Sequence, residues 1–365
     1  MEDGSKFFLV YNDTYGVFYF RLKLISELEK RGFKVIVLSP PGSKDKEVKR
    51  LGIRIVHYPL DKRKLNVLKD IISFFSLLYY ISREKPHIVQ SFTLKPNIFS
   101  PIACKIAGID RVYPCIAGLG HIFGEGSNFL KKIIVKILLK ISFKFSKTIV
   151  FQNHGDLFEL FREGIIQCEK VKVIRGSGVD LKRFNKGCGR KVVHVARLII
   201  PKGIREFAEV AESVGKALNA EFILVGPYYP DNPESIEKDS LEGWIREGFI
   251  KYLGEREDIE NILKESAVLL FPSYYREGVP KTILEAGASF LPVVCFDIHG
   301  TREVIEDKRN GYLIKLGDTK GLKSTVICLL TNNALRRKIG FWGRKKVERD
   351  FREDIIVSKY IEAYR

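Results

Sequence analysis

The sequence predicts an α/β protein built from two doubly wound domains in tandem, and three observations lead to this prediction. Short, continuously apolar runs alternate with longer amphipathic segments, a pattern typical of parallel sheets covered on both faces. The pattern restarts once, after the polar, glycine-containing stretch 181–190. The chain has 365 residues, too many for one small core and enough for two domains.

The elements follow in order along the chain. Predicted strands of the first half are 7–12, 34–40, 53–60, 88–92, 112–118 and 148–153, with helices at 17–30, 65–84, 95–107, 127–144 and 155–163. Those of the second half are 191–198, 220–226, 249–254, 267–273 and 291–297, with helices at 201–217, 234–247, 258–265 and 281–289. We therefore predict a first domain over 1–184, a second over 185–340 and a helical tail over 341–365 that could pack back on the first domain.

Composition limits the classes of function. The formal net charge of +18 points to a polyanionic partner, which could be nucleic acid, an anionic membrane surface or a phosphorylated substrate. The six cysteines form no CxxC pair, which favours reduced thiols over disulfides or a zinc site. We expect no signal peptide, because the apolar run near the N-terminus is too short. No stretch reaches the ~18 apolar residues that cross a bilayer.

Ligands of open α/β sheets bind beyond the carboxyl ends of the strands, so we expect the site residues in the loops that follow strands. The stretch 277-EGVPKTILEAG-287 follows the strand predicted at 267–273. Glu277 and Glu285 are suited to accept hydrogen bonds from vicinal hydroxyls, as a sugar or a ribose presents. Gly278 allows a close approach, and Pro280 precedes a helix whose free N–H groups can meet a phosphate. An ordinary helix start with solvated glutamates is the alternative.

A second stretch, 193-VHVARLIIPKG-203, follows the first strand of the second half. Arg197 and Lys202 flank its strand-to-helix turn, and two cations beside a helix N-terminus suit a diphosphate leaving group without a metal. Two surface cations of a basic protein would look the same in isolation. Pro201 and Gly203, which shape the same loop, favour the functional interpretation.

Together these residues resemble the signature of glycosyltransferase family 4, which has a Glu-x7-Glu motif and an Arg followed five residues later by Lys. The resemblance extends along nearly the whole chain and includes 171–184, 222–226 and 251–255. It implies the GT-B fold, with two doubly wound Rossmann-like domains facing an interdomain cleft, and retention of anomeric configuration. It further implies Arg197 and Lys202 on the donor diphosphate, Glu277 near the donor sugar and Glu285 on the ribose.

The resemblance also implies the rest of a site for a nucleotide-sugar donor, with UDP as the expected nucleotide. Backbone near Leu253 would meet the base, while the loop at 226-GPYYPD-231 departs from the Gly-Asp-Gly type of many relatives. We expect no cofactor and no metal, since a strict Asp-x-Asp motif is absent. The complete predicted donor-binding set is Gly16, Arg197, Lys202, Gly226, Leu253, Gly278, Val279, Pro280, Thr282 and Glu285.

A third stretch, 128-NFLKKIIVKILLKISFKFSK-147, is basic and apolar. Lysines at i+4 spacing form one row on a predicted helix, and a core helix with one solvated face is as reasonable an interpretation as a membrane-surface helix. The aliphatic richness favours lipid over nucleic acid, which is bound by stacking aromatics or known reader modules that we do not find. The row consists of Lys132, Lys136, Lys140 and Lys144.

Two loops of the first half, at 92–97 and 116–126, are similar to the family branch that acts on polyprenyl-diphosphate sugars. The similarity suggests that Lys95 meets an acceptor diphosphate and that His121 touches the transferred sugar. A helix-start lysine and a structural histidine remain the alternatives.

We therefore predict a retaining hexosyl- or N-acetylhexosaminyltransferase with Arg197, Lys202, Glu277 and His121 in catalysis. It would carry sugar from a UDP-sugar to a membrane lipid-diphosphate acceptor in glycan assembly. We expect it in the cytoplasm, peripherally bound to the inner face of the membrane. Two alternatives stay open: a soluble GT-B enzyme with a water-soluble acceptor, and a non-catalytic nucleotide-sugar-binding partner.

Overall fold

A computed structural model describes residues 4–61, 66–120, 123 and 129–365 of the chain. The chain divides into two compact units. Unit 1 comprises Met1–Gly178 together with Glu353–Arg365, and unit 2 comprises Val179–Arg352. The division at 178/179 lies six residues before the predicted one, and the predicted tail 341–365 is shared between the units. In the described part of the chain, every helix is too short or too polar to cross a bilayer.

Unit 1 is built on a sheet of seven parallel strands. The strands are β1 (Lys6–Val10), β2 (Lys34–Ser39), β3 (Arg54–His57), β4 (Ile88–Phe92), β5 (Val112–Ile116), β6 (Ile149–Phe151) and β7 (Val171–Val173). Their order in the sheet is β3-β2-β1-β4-β5-β6-β7. The first six were predicted from apolar runs, and β7 was not.

Among the described residues of unit 1, seven α-helices connect these strands. They are α1 (Thr14–Phe20), α2 (Leu22–Glu29), α3 (Asp45–Arg50), α4 (Val67–Glu84), α5 (Leu94–Ile106), α6 (Phe129–Lys144) and α7 (His154–Arg162). The side chains of Asn66 and Asn153 accept hydrogen bonds from backbone N–H groups in the first turns of α4 and α7, which stabilises these helix starts.

The single helix predicted over 17–30 is in fact two helices, which meet at Arg21. Its backbone leaves the helical region, at φ −129° and ψ −4°. The side chain is only 2% exposed, and its guanidinium carbon lies 3.8 Å from the centroid of the Phe92 ring. The break therefore directs a cation into an aromatic part of the core, where cation–π contact offsets part of its desolvation.

Unit 2 has a sheet of six parallel strands and seven helices. The strands are β8 (Lys191–Val195), β9 (Phe222–Val225), β10 (Lys251–Tyr252), β11 (Ser266–Phe271), β12 (Val293–Phe296) and β13 (Tyr312–Ile314), in the order β10-β9-β8-β11-β12-β13. The helices are α8 (Ile204–Leu218), α9 (Lys238–Arg246), α10 (Ile259–Lys264), α11 (Lys281–Ala288), α12 (His299–Arg302), α13 (Thr319–Thr331) and α14 (Asn333–Asp350). Apolar side chains bury both faces of β8 and β11, as parallel strands require.

The last helix, α15 (Glu353–Ala363), returns to unit 1 and packs against α2. Tyr360 is buried, with its hydroxyl 3.4 Å from Cys115 Sγ and its ring 6.2 Å from that of Phe92. The Tyr364 hydroxyl donates to Gln90 Oε1 at 2.8 Å. The end of the chain is therefore part of the core of unit 1.

Replacing Tyr360 with alanine tests this packing. The substitution leaves a large cavity beside Arg21 and removes its aromatic neighbour, so we expect the free energy of unfolding of unit 1 to fall by about 3–5 kcal/mol. Chemical denaturation followed by far-ultraviolet circular dichroism measures the change, because both tryptophans of the chain belong to unit 2 and their fluorescence does not report on unit 1. Glu362→Ala, on the exposed side of the same helix, is the matched control and should change stability by less than about 0.5 kcal/mol. Equal losses in the two variants would contradict the assignment of α15 to this core.

Candidate functional site

Unit 2 gathers charged side chains where its strand order reverses. β8 lies between β9 and β11, and the loops after β8 and β11 leave the same edge of the sheet. Arg197 follows β8 by two residues and Lys202 ends the 3-10 turn before α8, while Glu277 lies in the loop between β11 and α11. Reversal points of this kind are where open α/β sheets bind ligands.

Lys202 and Glu277 form an ion pair between these two loops. The lysine side chain is 8% exposed and the glutamate side chain 22%. Burial lowers the pKa of Lys202, Glu277 opposes that change and the nearby Arg197 adds to it. The pair therefore places a second cation close to Arg197 in a largely buried position. The low dielectric constant there strengthens the attraction of the two cations for an anionic ligand.

Tyr275 provides an aromatic wall beside both cations. The centre of its ring lies 5.1 Å from Lys202 Nζ and 5.7 Å from Arg197 Cζ, within cation–π range. Burial raises the pKa of its hydroxyl, so the group stays neutral. Tyr275 was not among the site residues predicted from the sequence. Its place two residues before Glu277 was the only available signal.

Short contacts fix the positions of the two loops. Gly203 has φ +74°, and a Cβ at this position would lie 2.0 Å from the carbonyl oxygen of Pro272. The Tyr274 N–H donates to the Pro201 carbonyl at 3.0 Å. Behind them, His194 Nε2 donates to the Lys202 carbonyl at 2.9 Å. Burial lowers the pKa of His194 to about 3, so the imidazole is neutral and serves as a donor in the core.

Glu285 has different neighbours from Glu277. It lies in α11, and burial raises the pKa of its carboxyl while the cations Lys281 and Arg183 oppose the change. The two predicted carboxylates are therefore distinct groups, one held by Lys202 and the other on the helix. Glu277 and Glu285 therefore do not form a pair of carboxyl groups that share one proton.

The other predicted residues of this motif connect α11 to the sheet. Thr282 Oγ1 donates to the carbonyl of Val195, the last residue of β8, at 3.3 Å. Val279 is buried, and Pro280 occupies the N-cap position of α11. A Cβ on Gly300 would lie 2.4 Å from the Gly278 carbonyl oxygen, so α12 approaches this loop at backbone distance. The N-terminus of α11 is thereby held at the same sheet edge as Arg197.

Gly226 and Leu253, predicted near the nucleotide base, are the first residues after the neighbouring strands β9 and β10. Gly226 has φ +142°, and a Cβ there would lie 1.8 Å from the Ala196 carbonyl oxygen, so glycine is required for the loops to approach. The Gly226 N–H donates to the Gly254 carbonyl, and the Leu253 N–H donates to the Leu224 carbonyl. These bonds bring the two predicted base-contact loops together.

The site residues predicted in the first half lie in unit 1. Gly16 is in α1, and a Cβ there would lie 2.2 Å from the Tyr11 ring, so packing by itself requires glycine. Lys95 Nζ pairs with Asp70 at 2.6 Å and donates to the Asp61 carbonyl at 2.8 Å. His121 lies outside the described residues. The acceptor and donor roles of these three residues stay predictions.

The four lysines of the predicted row are on α6, but their surroundings differ. Lys136 pairs with Glu163 at 2.6 Å, and Lys132 Nζ lies 5.8 Å from the centre of the Phe123 ring. Lys140 and Lys144 are exposed. An i, i+4 row drifts around a helix of 3.6 residues per turn, so it runs from a half-buried flank onto the solvent face.

Comparison with known proteins identifies the family to which the chain belongs. A model of glycosyl transferases group 1 matches residues 189–332, and a model of glycosyl transferase 4-like domains matches residues 9–153. The first includes Arg197, Lys202, Glu277 and Glu285. The predicted resemblance is confirmed.

Two characterised relatives align along most of the chain. The N,N'-diacetylbacillosaminyl-diphospho-undecaprenol alpha-1,3-N-acetylgalactosaminyltransferase of Campylobacter jejuni is 29% identical, covering 95% of each chain. The UDP-Gal:alpha-D-GlcNAc-diphosphoundecaprenol alpha-1,3-galactosyltransferase of Escherichia coli is 28% identical, covering 84% of this chain and 86% of its own.

Solved structures agree on the fold. HepE of Anabaena, in complex with UDP and glucose, superposes with a TM-score of 0.79 at 16% identity, over 98% of each chain. WaaG, a glycosyltransferase of lipopolysaccharide biosynthesis, superposes with a TM-score of 0.77, also at 16% identity and over 98% of each chain. The two parallel sheets, the family models and these neighbours lead to one conclusion: the chain is a glycosyltransferase of the GT-B fold, with a glycosyl transferase 4-like domain followed by a glycosyl transferases group 1 domain.

Proposed function

We propose that this enzyme transfers a hexose or N-acetylhexosamine from a UDP-sugar to a lipid-diphosphate-linked acceptor, with retention of anomeric configuration. The observation that carries the proposal is the cluster of Arg197, Lys202 and Glu277 where the strand order of unit 2 reverses. Two cations beside a helix N-terminus and a carboxylate suit a sugar attached to a diphosphate.

In this proposal, Arg197 and Lys202 hold the diphosphate of the donor and Glu277 accepts hydrogen bonds from the sugar. Glu285 accepts bonds from the ribose, and backbone near Gly226 and Leu253 meets the base. Gly278, Val279, Pro280 and Thr282 position the helix that carries Glu285. UDP is favoured because the Escherichia coli relative is named for a UDP-sugar donor.

The chemistry that we propose is a front-face substitution that needs no metal. The bond from the anomeric carbon to the diphosphate oxygen breaks, and a bond from the same face to the acceptor oxygen forms. The acceptor's hydroxyl proton passes to the departing diphosphate, whose developing charge Arg197 and Lys202 neutralise. Preorganised cations of this kind lower a barrier because they do not reorganise during the reaction.

The names of the relatives support a polyprenyl-diphosphate acceptor, since both act on sugars joined to undecaprenyl diphosphate. Such an acceptor is part of a membrane. We therefore propose that the enzyme works peripherally at the inner face of the cell membrane, with the α6 lysines near anionic lipid headgroups. Lys95 is retained as an acceptor-side residue, His121 as a catalytic residue that touches the transferred sugar, and Gly16 as a donor-side residue.

Substitution of the two cations tests the donor site. We expect Arg197→Gln and Lys202→Met each to lower the rate of sugar transfer by about 10²–10³-fold, because each removes a preorganised charge from the leaving diphosphate. Transfer from a radiolabelled UDP-sugar to a short-chain polyprenyl-diphosphate sugar measures the rate. We expect the thermal midpoint of Arg197→Gln to stay within about 5 °C of the wild type. That of Lys202→Met should fall further, because this substitution leaves the partly buried carboxylate of Glu277 without its cation.

Arg205→Gln is the matched control. This arginine is on α8, with 52% of its side chain exposed and with Glu237 rather than Glu277 as its acidic partner, so transfer should stay near the wild-type rate. Near wild-type transfer by both Arg197→Gln and Lys202→Met would refute the proposed donor site.

The pH dependence of UDP binding tests Glu285. Burial raises the pKa of this carboxyl, so it protonates at a higher pH than the ordinary glutamate value of about 4.3. Only the carboxylate accepts two ribose hydrogen bonds, so affinity should be full above the raised pKa and should fall as the pH drops through it. Titration calorimetry with UDP measures this change.

In Glu285→Gln the affinity should be lower at neutral pH, and its decrease toward acid pH should be smaller. Titration of the phosphate itself is common to both proteins and cancels in the comparison. Glu212→Gln, at an exposed position on α8, should retain the wild-type profile. If the acid decrease is identical in wild type and Glu285→Gln, this carboxyl does not hold the ribose.

A further inference from the structure

Two helices of unit 1 expose apolar side chains along a whole face. On α4, six large apolar residues with helical spacing are 47–75% exposed: Val67, Leu68, Ile71, Ile72, Phe75 and Tyr79. On α6, six more are 37–73% exposed: Phe129, Leu130, Ile133, Ile134, Ile137 and Ile141. We refer to these twelve residues as the α4/α6 face. Contiguous apolar patches larger than those of ordinary protein surfaces mark interaction sites.

The two helices belong to one layer. α4 connects β3 to β4 and α6 connects β5 to β6, and both crossovers run in the same direction along the sheet, as does that of α5. Right-handed crossovers in one direction place all three helices on the same side. α4 and α6 each pack against α5, and the rings of Phe74 and Phe99 meet at 6.1 Å. Both apolar faces are therefore directed outward from one side of unit 1.

Cations accompany the apolar residues. α6 carries Lys131, Lys132, Lys136, Lys140 and Lys144, and its sequence contains no acidic residue. Lys131, Lys140 and Lys144 are exposed, as is Lys69 at the start of α4. Apolar residues with lysines along their border are the pattern of a helix that lies in a membrane interface.

We propose that the α4/α6 face is a membrane-insertion surface, whose apolar side chains enter the acyl region of a bilayer while the bordering lysines contact anionic headgroups. This deepens the proposed function, on which it rests for the presence of a membrane-bound acceptor, by making α4 a second membrane element. Attachment is then largely hydrophobic, and lysine attraction adds to it.

Charge favours a bilayer over a second copy of the chain as the occupant. In a two-fold dimer the same patch meets itself, so the lysines of α6 would approach those of its partner. Like charges across an interface are unfavourable. An anionic bilayer supplies both the apolar interior and the opposite charge, each lysine near the surface contributing about 1 kcal/mol of attraction.

Vesicle sedimentation of the full chain tests the surface. We expect binding to vesicles of phosphatidylcholine with phosphatidylglycerol, and we expect much of it to persist when NaCl is raised to about 0.5 M, where lysine attraction is screened. The triple substitution Ile71→Ser, Ile72→Ser and Phe75→Ser should lower the partition coefficient by about tenfold or more at both salt concentrations, because three inserted side chains are lost.

Two further variants separate the contributions. Lys131→Gln with Lys140→Gln and Lys144→Gln should weaken binding at low salt and have little effect at high salt. The matched apolar control is Ile245→Ser, Leu316→Ser and Ile327→Ser, at exposed positions of unit 2, and it should bind as the wild type does. A triple α4 variant that binds like this control would overturn the proposal.

Insertion depth gives an independent readout. Tryptophan in place of Phe75 should be quenched by lipids brominated on the acyl chain, beyond any quenching of the native Trp244 and Trp342. Absence of additional quenching, or a stable dimer that forms without lipid and is lost in the triple α4 variant, would overturn the insertion model. UDP binding by the same variants should be unchanged. A wild type that binds vesicles but not UDP would leave the insertion surface intact and refute the proposed function.

Discussion

A buried lysine constrains much of the structure of unit 2. Lys202 has 8% of its side chain exposed, and a charged amine in such a place needs an opposite charge beside it. Glu277 meets this need from the loop after β11, while Lys202 itself comes from the loop after β8. The pair can form because these two strands are neighbours in the sheet although seventy residues, 196–265, separate them along the chain. Gly203, Thr282 and His194 then hold the loops in the positions that the pair requires.

In unit 1 the buried cation Arg21 is stabilised by aromatic rings. Arg21 enters the core where α1 gives way to α2, with the rings of Phe92 and Tyr360 at 3.8 and 5.4 Å from its guanidinium carbon. One of these rings comes from α15, so the last helix of the chain completes the core of the first unit. The opposite side of the unit 1 sheet carries α4 and α6, with apolar residues exposed outward. The two sides of the unit 1 sheet therefore have different roles. In the proposed function, the side that carries α4 and α6 contacts the membrane that contains the acceptor.

Most strands were predictable because each lies within a largely apolar run of the sequence. Those predicted in each half appear within a few residues of the expected bounds, but β7 and β13 were missed. No residue of either strand is buried, whereas all three residues of the equally short β6 are. Such short strands have little pattern of their own and exist because a neighbouring strand offers hydrogen bonds. The break at Arg21 escaped prediction for a related reason. Residues 17–30 have helical periodicity throughout. Only the contacts of the Arg21 guanidinium with the aromatic rings of the core stabilise a break in the helix.

Sequence by itself determined the α/β class and the division into two domains, from the single restart of the strand–helix pattern. It also identified four candidate site residues: Arg197, Lys202, Glu277 and Glu285. These features depend on local periodicity and on residue types at fixed spacing, which a linear chain displays directly. Only the tertiary structure decided that Lys202 pairs with Glu277, that Tyr275 covers both cations and that Lys95 and Lys136 have acidic partners. It also decided that α6 exposes apolar side chains beside its lysines and that α4 exposes a similar apolar set. Burial and ion pairing depend on which segments, distant in sequence, the fold brings together. The spacing of residues along the chain does not determine the distances between such segments in space.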